Sequence, residues 1–215
     1  NIKQAKVRNY TSMLEMSLFP DYLPTTVIRN LVEVARENVD VISEFNALKQ
    51  EELGISELHF YDNYVPLVDD VDKKYSYEEA IELVRTALAP LGADYLRKYD
   101  ATVRARVIDV FESSGKRSGA FSWGSYASRG LIFLNYTEKF SDVSTFAHEF
   151  GHCLHRDYSI ENQPYIYYQN PIFLAEIAST FNEALLFDHM SKIAESREEK
   201  KFFLYHNMKR IEATF

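Results

Sequence analysis

One cysteine, Cys153, stands among the 215 residues. An intrachain disulfide is therefore excluded, and such sparing use of cysteine fits a reducing, cytoplasmic setting. Long apolar runs are missing too: no stretch reaches the roughly 18 residues that a membrane helix needs, and no signal-peptide pattern is visible. Basic clusters are likewise absent. Lys and Arg number 24 against 32 Asp and Glu, a net charge of −8, and no interleaving of basic with aromatic residues suggests a nucleic-acid partner. The acidic balance favours cationic peptides mildly through its field, most of it being solvated surface. There are no internal repeats and no low-complexity linkers. What remains is a chain whose hydrophobic fraction of 46% is ordinary for a globular protein, sized for one large domain or two small ones.

Most of that chain reads as helix. Val27, Leu31, Val34, Ala35, Val41, Phe45 and Leu48 give an amphipathic pattern from about Thr25 to Glu52, preceded by Pro20 and Pro24 and ending before Gly54. Ser76-Tyr77-Glu78-Glu79 is a capping box, opening a helix that Pro90 and Gly92 close. A further helix is expected from about Ala93 to Asp109. After the Ser113-Ser114-Gly115-Lys116 turn the composition changes. Ser118 to Tyr136 holds Gly119, Gly124 and Gly130 among Phe121, Trp123, Tyr126, Ile132, Phe133 and Tyr136, which reads as two short strands. Two readings stand for this segment: a structural hairpin, or an edge strand along a cleft that pairs with a bound peptide.

The chemistry concentrates just beyond. Phe146-Ala147-His148-Glu149-Phe150-Gly151-His152 contains His-Glu-x-x-His. Ser141 and Asp142 supply N-cap signals. Val143, Phe146, Ala147, Phe150 and Leu154 recur at helical spacing, so a helix from about Asp142 to Arg156 is expected. Residues four apart share a helix face, so His148 and His152 can address one ion. Imidazole suits Zn²⁺, which takes three protein ligands in catalytic sites. Zinc lowers the pKa of bound water from about 15.7 to about 7, and Glu149 stands where a carboxylate can take the proton. Gly151 costs roughly 1 kcal/mol relative to Ala within a helix, so its place in the motif implies a close approach to the backbone.

Glu176 is the candidate third ligand. It is the lone carboxylate among Phe173, Leu174, Ile177, Ala178 and Phe181, in a second helix opened by Pro171, and a carboxylate in such surroundings needs a partner. Glu183, two turns on, is placed either to fix the tautomer of a ligand histidine or to sit on a polar rim. His155, three residues past His152, is placed either to hydrogen-bond substrate or a ligand, or to sit on the same rim. Cys153 projects away from the ligand face and reads as a small buried side chain. Tyr165, Tyr167 and Tyr168 lie between the two ligand helices, as a substrate platform or as a packed loop.

These stretches carry a resemblance. His148 to His155, followed by Glu176 to Glu183, resembles the M3 family of zinc oligopeptidases, and within it the oligoendopeptidase F group. Glu57 to Asp62, Val71 to Tyr75, Ala87 to Gly92, Gly115 to Ala120 and Asn162 to Tyr165 agree with the same family, so the resemblance covers nearly the whole chain. It implies one Zn²⁺ per chain bound by His148, His152 and Glu176, with Glu149 as general base. It also implies a mainly α, multi-helix, zincin-like metallopeptidase with a small antiparallel β element before the zinc helix. Residues 1–112 are expected to form a helical part of the cleft wall, and 113–215 the catalytic zinc-binding region. The implied activity is zinc-dependent hydrolysis of internal bonds in short peptides, with no membrane or nucleic-acid partner. Family members are much longer, and in them downstream Gly, His and Tyr residues bind substrate. The chain is therefore expected to be an internal fragment, and the alternative to a peptidase is a zinc- and peptide-binding module without turnover. A structural zinc site fits poorly, since an acid stands beside an open position. Exclusive exopeptidase action stays open.

Overall fold

The computed structural model describes residues 2–68 and 73–214, so Val71 and Asp72 of the Val71 to Tyr75 stretch, and Phe215, lie outside the described residues. In chain order the elements are α1 (Ile2–Val7), α2 (Met13–Leu18), α3 (Thr25–Glu37), α4 (Val39–Leu53), α5 (Tyr77–Ala87), α6 (Ala93–Arg104), β1 (Ile108–Phe111), β2 (Phe121–Trp123), β3 (Leu131–Tyr136), α7 (Phe140–Asn162), α8 (Ile172–Ile193) and α9 (Arg197–Thr214). They fall into two compact units, one of Asn1–Asp69 with Met208–Phe215, the other of Asp70–Asn207. This division differs from the 112/113 boundary suggested by composition, because α5 and α6 pack against α7 and α5 also against α8.

In the first unit, the helix expected over Thr25 to Glu52 is two helices. Asn38 ends α3: its side-chain Nδ2 donates to the Val34 carbonyl at 2.8 Å, and its backbone leaves helical geometry at φ −111°. An asparagine amide that bonds the backbone locally competes with the helical ladder. Gly54 closes α4 at φ +64°, a left-handed conformation that costs glycine little.

In the second unit, α5 starts on the capping box read from the sequence. Ser76 Oγ accepts from the Glu79 amide at 3.2 Å, and Glu79 Oε2 accepts from the Ser76 amide at 2.8 Å. Helix α6 stops at Arg104, short of the expected Asp109. Arg106 takes φ +53° and turns the chain, and the β-branched Ile108 and Val110 help continue it as strand. The β element is consequently a mixed three-stranded sheet of order β1-β3-β2, not a hairpin alone. Strand β1 runs parallel to β3, and β2 antiparallel to it with Ser122 opposite Ile132. Ile132, Leu134 and Tyr136 alternate inward along β3 and are buried. Strand β2 is left with one unpaired edge.

Helix α7 begins two residues earlier than the sequence suggests. Its N-cap is Lys139, not Ser141 or Asp142. Asp142 instead sits in the first turn and accepts amides of Thr137 at 2.7 Å and Lys139 at 3.1 Å. Phe146, Phe150 and Leu154 are buried, with the Tyr99 ring 4.3 Å from that of Phe150. Gly151 is the point of closest approach to α8. A Cβ there would lie 2.5 Å from Ser179 Cα and 2.7 Å from the Ala178 carbonyl oxygen, which explains the glycine inside the motif. Asn182, fully buried, donates to the Ala147 carbonyl at 3.0 Å and exchanges hydrogen bonds with the Tyr95 hydroxyl. This polar tie fixes α8 against α7 beside the motif.

Candidate functional site

The Gly151 contact and the Asn182 tie bring one face of α7 against the first turns of α8. His148 and His152 point from α7 to a common place, and Glu176 reaches it from α8. Their ligand atoms form a triangle: 3.1 Å between the two Nε2 atoms, 3.4 Å from His148 Nε2 to Glu176 Oε2, and 3.5 Å from His152 Nε2 to the same oxygen. Ligand atoms of a tetrahedral zinc site with bonds of about 2.0–2.1 Å lie about 3.3 Å apart. The three therefore match the spacing such an ion requires. Lone pairs aimed at one point repel each other, so the arrangement also suits a cation electrostatically.

The partners of each ligand differ. Glu183 Oε2 lies 3.1 Å from His148 Nδ1, and Glu183 Oε1 accepts from Ser144 Oγ at 3.0 Å. A proton on Nδ1 shared with this carboxylate leaves the Nε2 lone pair facing the triangle. Burial disfavours charge on His148, yet the Glu183 hydrogen bond and the charges of Glu183, Glu149 and Glu176 outweigh it and raise its pKa. His152 has its pKa lowered, first by burial and then by the neighbouring His148. Glu176 accepts from Ser179 Oγ at 2.8 Å.

Glu149 is buried, and its Oε2 has no hydrogen-bond partner among the described residues. Burial pushes its pKa up to about 7, with Glu176 and Glu183 adding to the rise while His148 and the Ser122 backbone oppose it. A carboxyl group near 7 can hold or release a proton at neutral pH, as a general base must. A cleft of about 580 Å³ opens over these residues, within the range that binds small ligands. Strand β2 forms one wall through Phe121, Ser122 and Trp123, and His155, Arg156 and Tyr168 line the rest with the three candidate ligands. His155 has its pKa lowered by burial. Cys153 is buried, and burial pushes its thiol up to about 11. Of the tyrosines, Tyr168 is packed, with its carbonyl accepting from Ser159 Oγ at 2.7 Å, whereas Tyr165 and Tyr167 are exposed.

Residues 1–212 match Peptidase family M3. The chain belongs to that family. Among M3 relatives, the chain is 36% identical over 210 residues to oligopeptidase PepF of Bacillus subtilis (strain 168), covering 98% of this chain and 31% of that protein. It is 39% identical over 207 residues to an oligoendopeptidase F homolog of Lactococcus lactis subsp. lactis, covering 96% and 34% respectively. A crystal structure from Chlamydophila abortus superposes with a TM-score of 0.87 at 42% identity, covering 98% of this chain and 35% of that one. The chain thus spans about a third of the length of the M3 proteins it matches. The mainly helical fold with its small sheet is the M3 fold.

Sequence reasoning misses three contributors. Ser144 and Asn182 are ordinary polar residues on helix faces, and only the packing of α7 on α8 gives them partners. Arg156 reads in the sequence only as a helix end. The two glycines it touches, Gly124 and Gly130, are the available signal, since each lies where a side chain would meet the guanidinium.

Proposed function

We propose that this chain carries the metal site and general base of a zinc-dependent endopeptidase acting on short peptides. His148, His152 and Glu176 hold the ion, Glu183 and Ser144 orient His148, and Glu149 moves the proton. The observation that carries this reading is the triangle of ligand atoms with the buried, unpartnered Glu149 Oε2 and its pKa of about 7 beside it. Zinc bound there would polarise the scissile carbonyl and acidify a water. Glu149 takes the proton of the attacking water on its carboxylate and later delivers it to the leaving amide nitrogen. The unpaired edge of β2 supports an extended peptide backbone by strand addition. Because β3 is the central strand, this role falls to Phe121 to Trp123. The single cysteine fits a cytoplasmic site of action, and among the described residues no helix is long and apolar enough to cross a membrane.

A second reading is zinc and peptide binding without turnover. Its support is the openness of the site on the α8 side, where the Glu176 side chain is 45% exposed and Ile172, Phe173 and Ile177 face solvent. Water admitted there weakens every electrostatic interaction in the site.

Zinc content and cleavage of a quenched fluorescent peptide library, measured on the chain and on Glu149→Gln, separate the two. The endopeptidase reading expects one zinc per chain in both proteins and cleavage reduced about 10²–10⁴-fold by the glutamine. Zinc in both with cleavage in neither selects the binding module. Absence of zinc, or full activity of Glu149→Gln, overturns the site assignment.

A further inference from the structure

Arg156 stands one helical turn beyond His152, and its side chain is only 14% exposed. Its guanidinium fills the space beside both ends of the connection between β2 and β3. A Cβ on Gly130 would be 1.3 Å from Nη2 and 2.3 Å from Cζ, and a Cβ on Gly124 would be 2.6 Å from Nη1. From the α7 side the group is held by Cys153 and Asp157: Nη2 donates to Cys153 Sγ at 3.3 Å and to Asp157 Oδ1 at 3.1 Å. Among the described residues its buried Nε has no hydrogen-bond partner.

That last fact matters for the choice between packing and function. A buried donor left unpaired is destabilising, and an apolar side chain of similar volume would fill the space without that cost. The loop that the guanidinium underlies is otherwise closed on itself. The Ser125 amide donates to Ser128 Oγ at 3.0 Å, and the Ser128 amide returns to the Ser125 carbonyl at 3.2 Å. Its tip is met by aromatic rings, with Tyr126 5.5 Å from Tyr165 and 5.3 Å from Tyr168 between centroids. The two ends of the loop meet the guanidinium, and the first end continues directly into Trp123 and Ser122 on the cleft wall.

We propose that Arg156 is a positioning residue that pins the base of the Gly124–Gly130 loop and thereby sets the height of the β2 edge over the metal site. The inference rests on the peptidase reading for its consequence, peptide binding along β2, but not for the pin itself. Gly124 and Gly130 are then required because the guanidinium occupies the space where a Cβ on either would stand. Arg156 touches no reacting atom; it acts through the strand that receives the substrate.

The obstruction at Gly130 is the far end of a flexible side chain, so Gly130→Ala should expel the guanidinium and leave the backbone fold intact. Gly130→Ala and Arg156→Gln are therefore expected to have the same phenotype, and the double variant to be no worse than either single one. Hydrogen exchange followed by mass spectrometry should show residues 121–130 exchanging about tenfold faster in each variant, with residues 143–154 unchanged. One zinc per chain should be retained. For peptide cleavage, KM should rise about tenfold with kcat changed less than about threefold, the signature of lost binding that is uniform between ground and transition states. Unchanged exchange in 121–130, an equal rise throughout residues 70–207, or additive effects in the double variant would each overturn the pin. A loosened loop with unaltered KM would overturn its link to substrate. If the parent chain cleaves nothing, the peptidase reading fails while the exchange measurement still decides the pin.

Discussion

The two turns that carry the candidate ligands are built differently. On α7, His148 is braced by Glu183, which is itself held by Ser144, and the surrounding Ala147, Phe150 and Gly151 are buried. On α8, Glu176 is braced by Ser179 alone and is 45% exposed, against 26% for His148. Its apolar neighbours Phe173, Leu174 and Ile177 face solvent. Of the candidate ligands, His148 is thus held by a braced carboxylate, whereas Glu176 accepts from a single side-chain hydroxyl. Preorganisation lowers what must be ordered on binding, so the histidine pair should govern affinity and the glutamate should complete and adjust the site.

The strongest way to break that comparison is to remove one ligand from each side. His148→Ala and Glu176→Ala should both lose stoichiometric zinc, with zinc affinity falling by at least about 10³-fold for His148→Ala and less for Glu176→Ala. Competition against a chelator, read by metal analysis, checks the order. Equal losses would mean that the α8 ligand is as well organised as the α7 pair. A finer test targets the braces. Glu183→Gln should weaken zinc about 10–100-fold, the usual effect of removing a carboxylate behind a ligand histidine. Ser179→Ala should cost about 0.5–1.5 kcal/mol in the same measurement, roughly the net worth of one neutral hydrogen bond. If Ser179→Ala matched Glu183→Gln, the contrast between the two turns would disappear.

How far the sequence foretells this site depends on the range of the interactions. His148, His152 and the helix that carries them follow from spacing alone, and so does the capping box at Ser76, because these are contacts within one turn of chain. Gly151 announces a close neighbour, but only the fold shows that neighbour to be the backbone of Ser179. Spacing puts Glu183 on the correct face of α8, while its contact with Ser144 depends on how α8 settles on α7. The break at Asn38 and the strand after Arg104 escape detection for a related reason. A side-chain amide bonding Val34 and a left-handed Arg106 each override a pattern that apolar periodicity would carry through. Strand β1 in particular has too few residues to show a period, and it exists because β3 offers it a parallel edge.

A last test reads the buried carboxyl of α7 by pH. Glu149 is buried, and burial raises its pKa from 4.5 to about 7. The folded metal-free chain therefore holds this proton more tightly than the unfolded chain, and the contribution to stability is fully present below about pH 4.5. As pH rises toward 7, unfolding releases a proton that folding had retained, so stability falls. Above about 7 both states are ionised and the loss is complete. Each tenfold difference in proton affinity between the two states corresponds to about 1.4 kcal/mol. Between pH 5 and 8 the metal-free parent should therefore lose about 2 kcal/mol of unfolding free energy relative to Glu149→Gln, which has no charge to bury. Denaturant titrations of the two metal-free proteins at several pH values make the comparison. Parallel stability profiles for the parent and Glu149→Gln would mean that water reaches Glu149 and that its carboxylate is solvated like that of the unfolded chain.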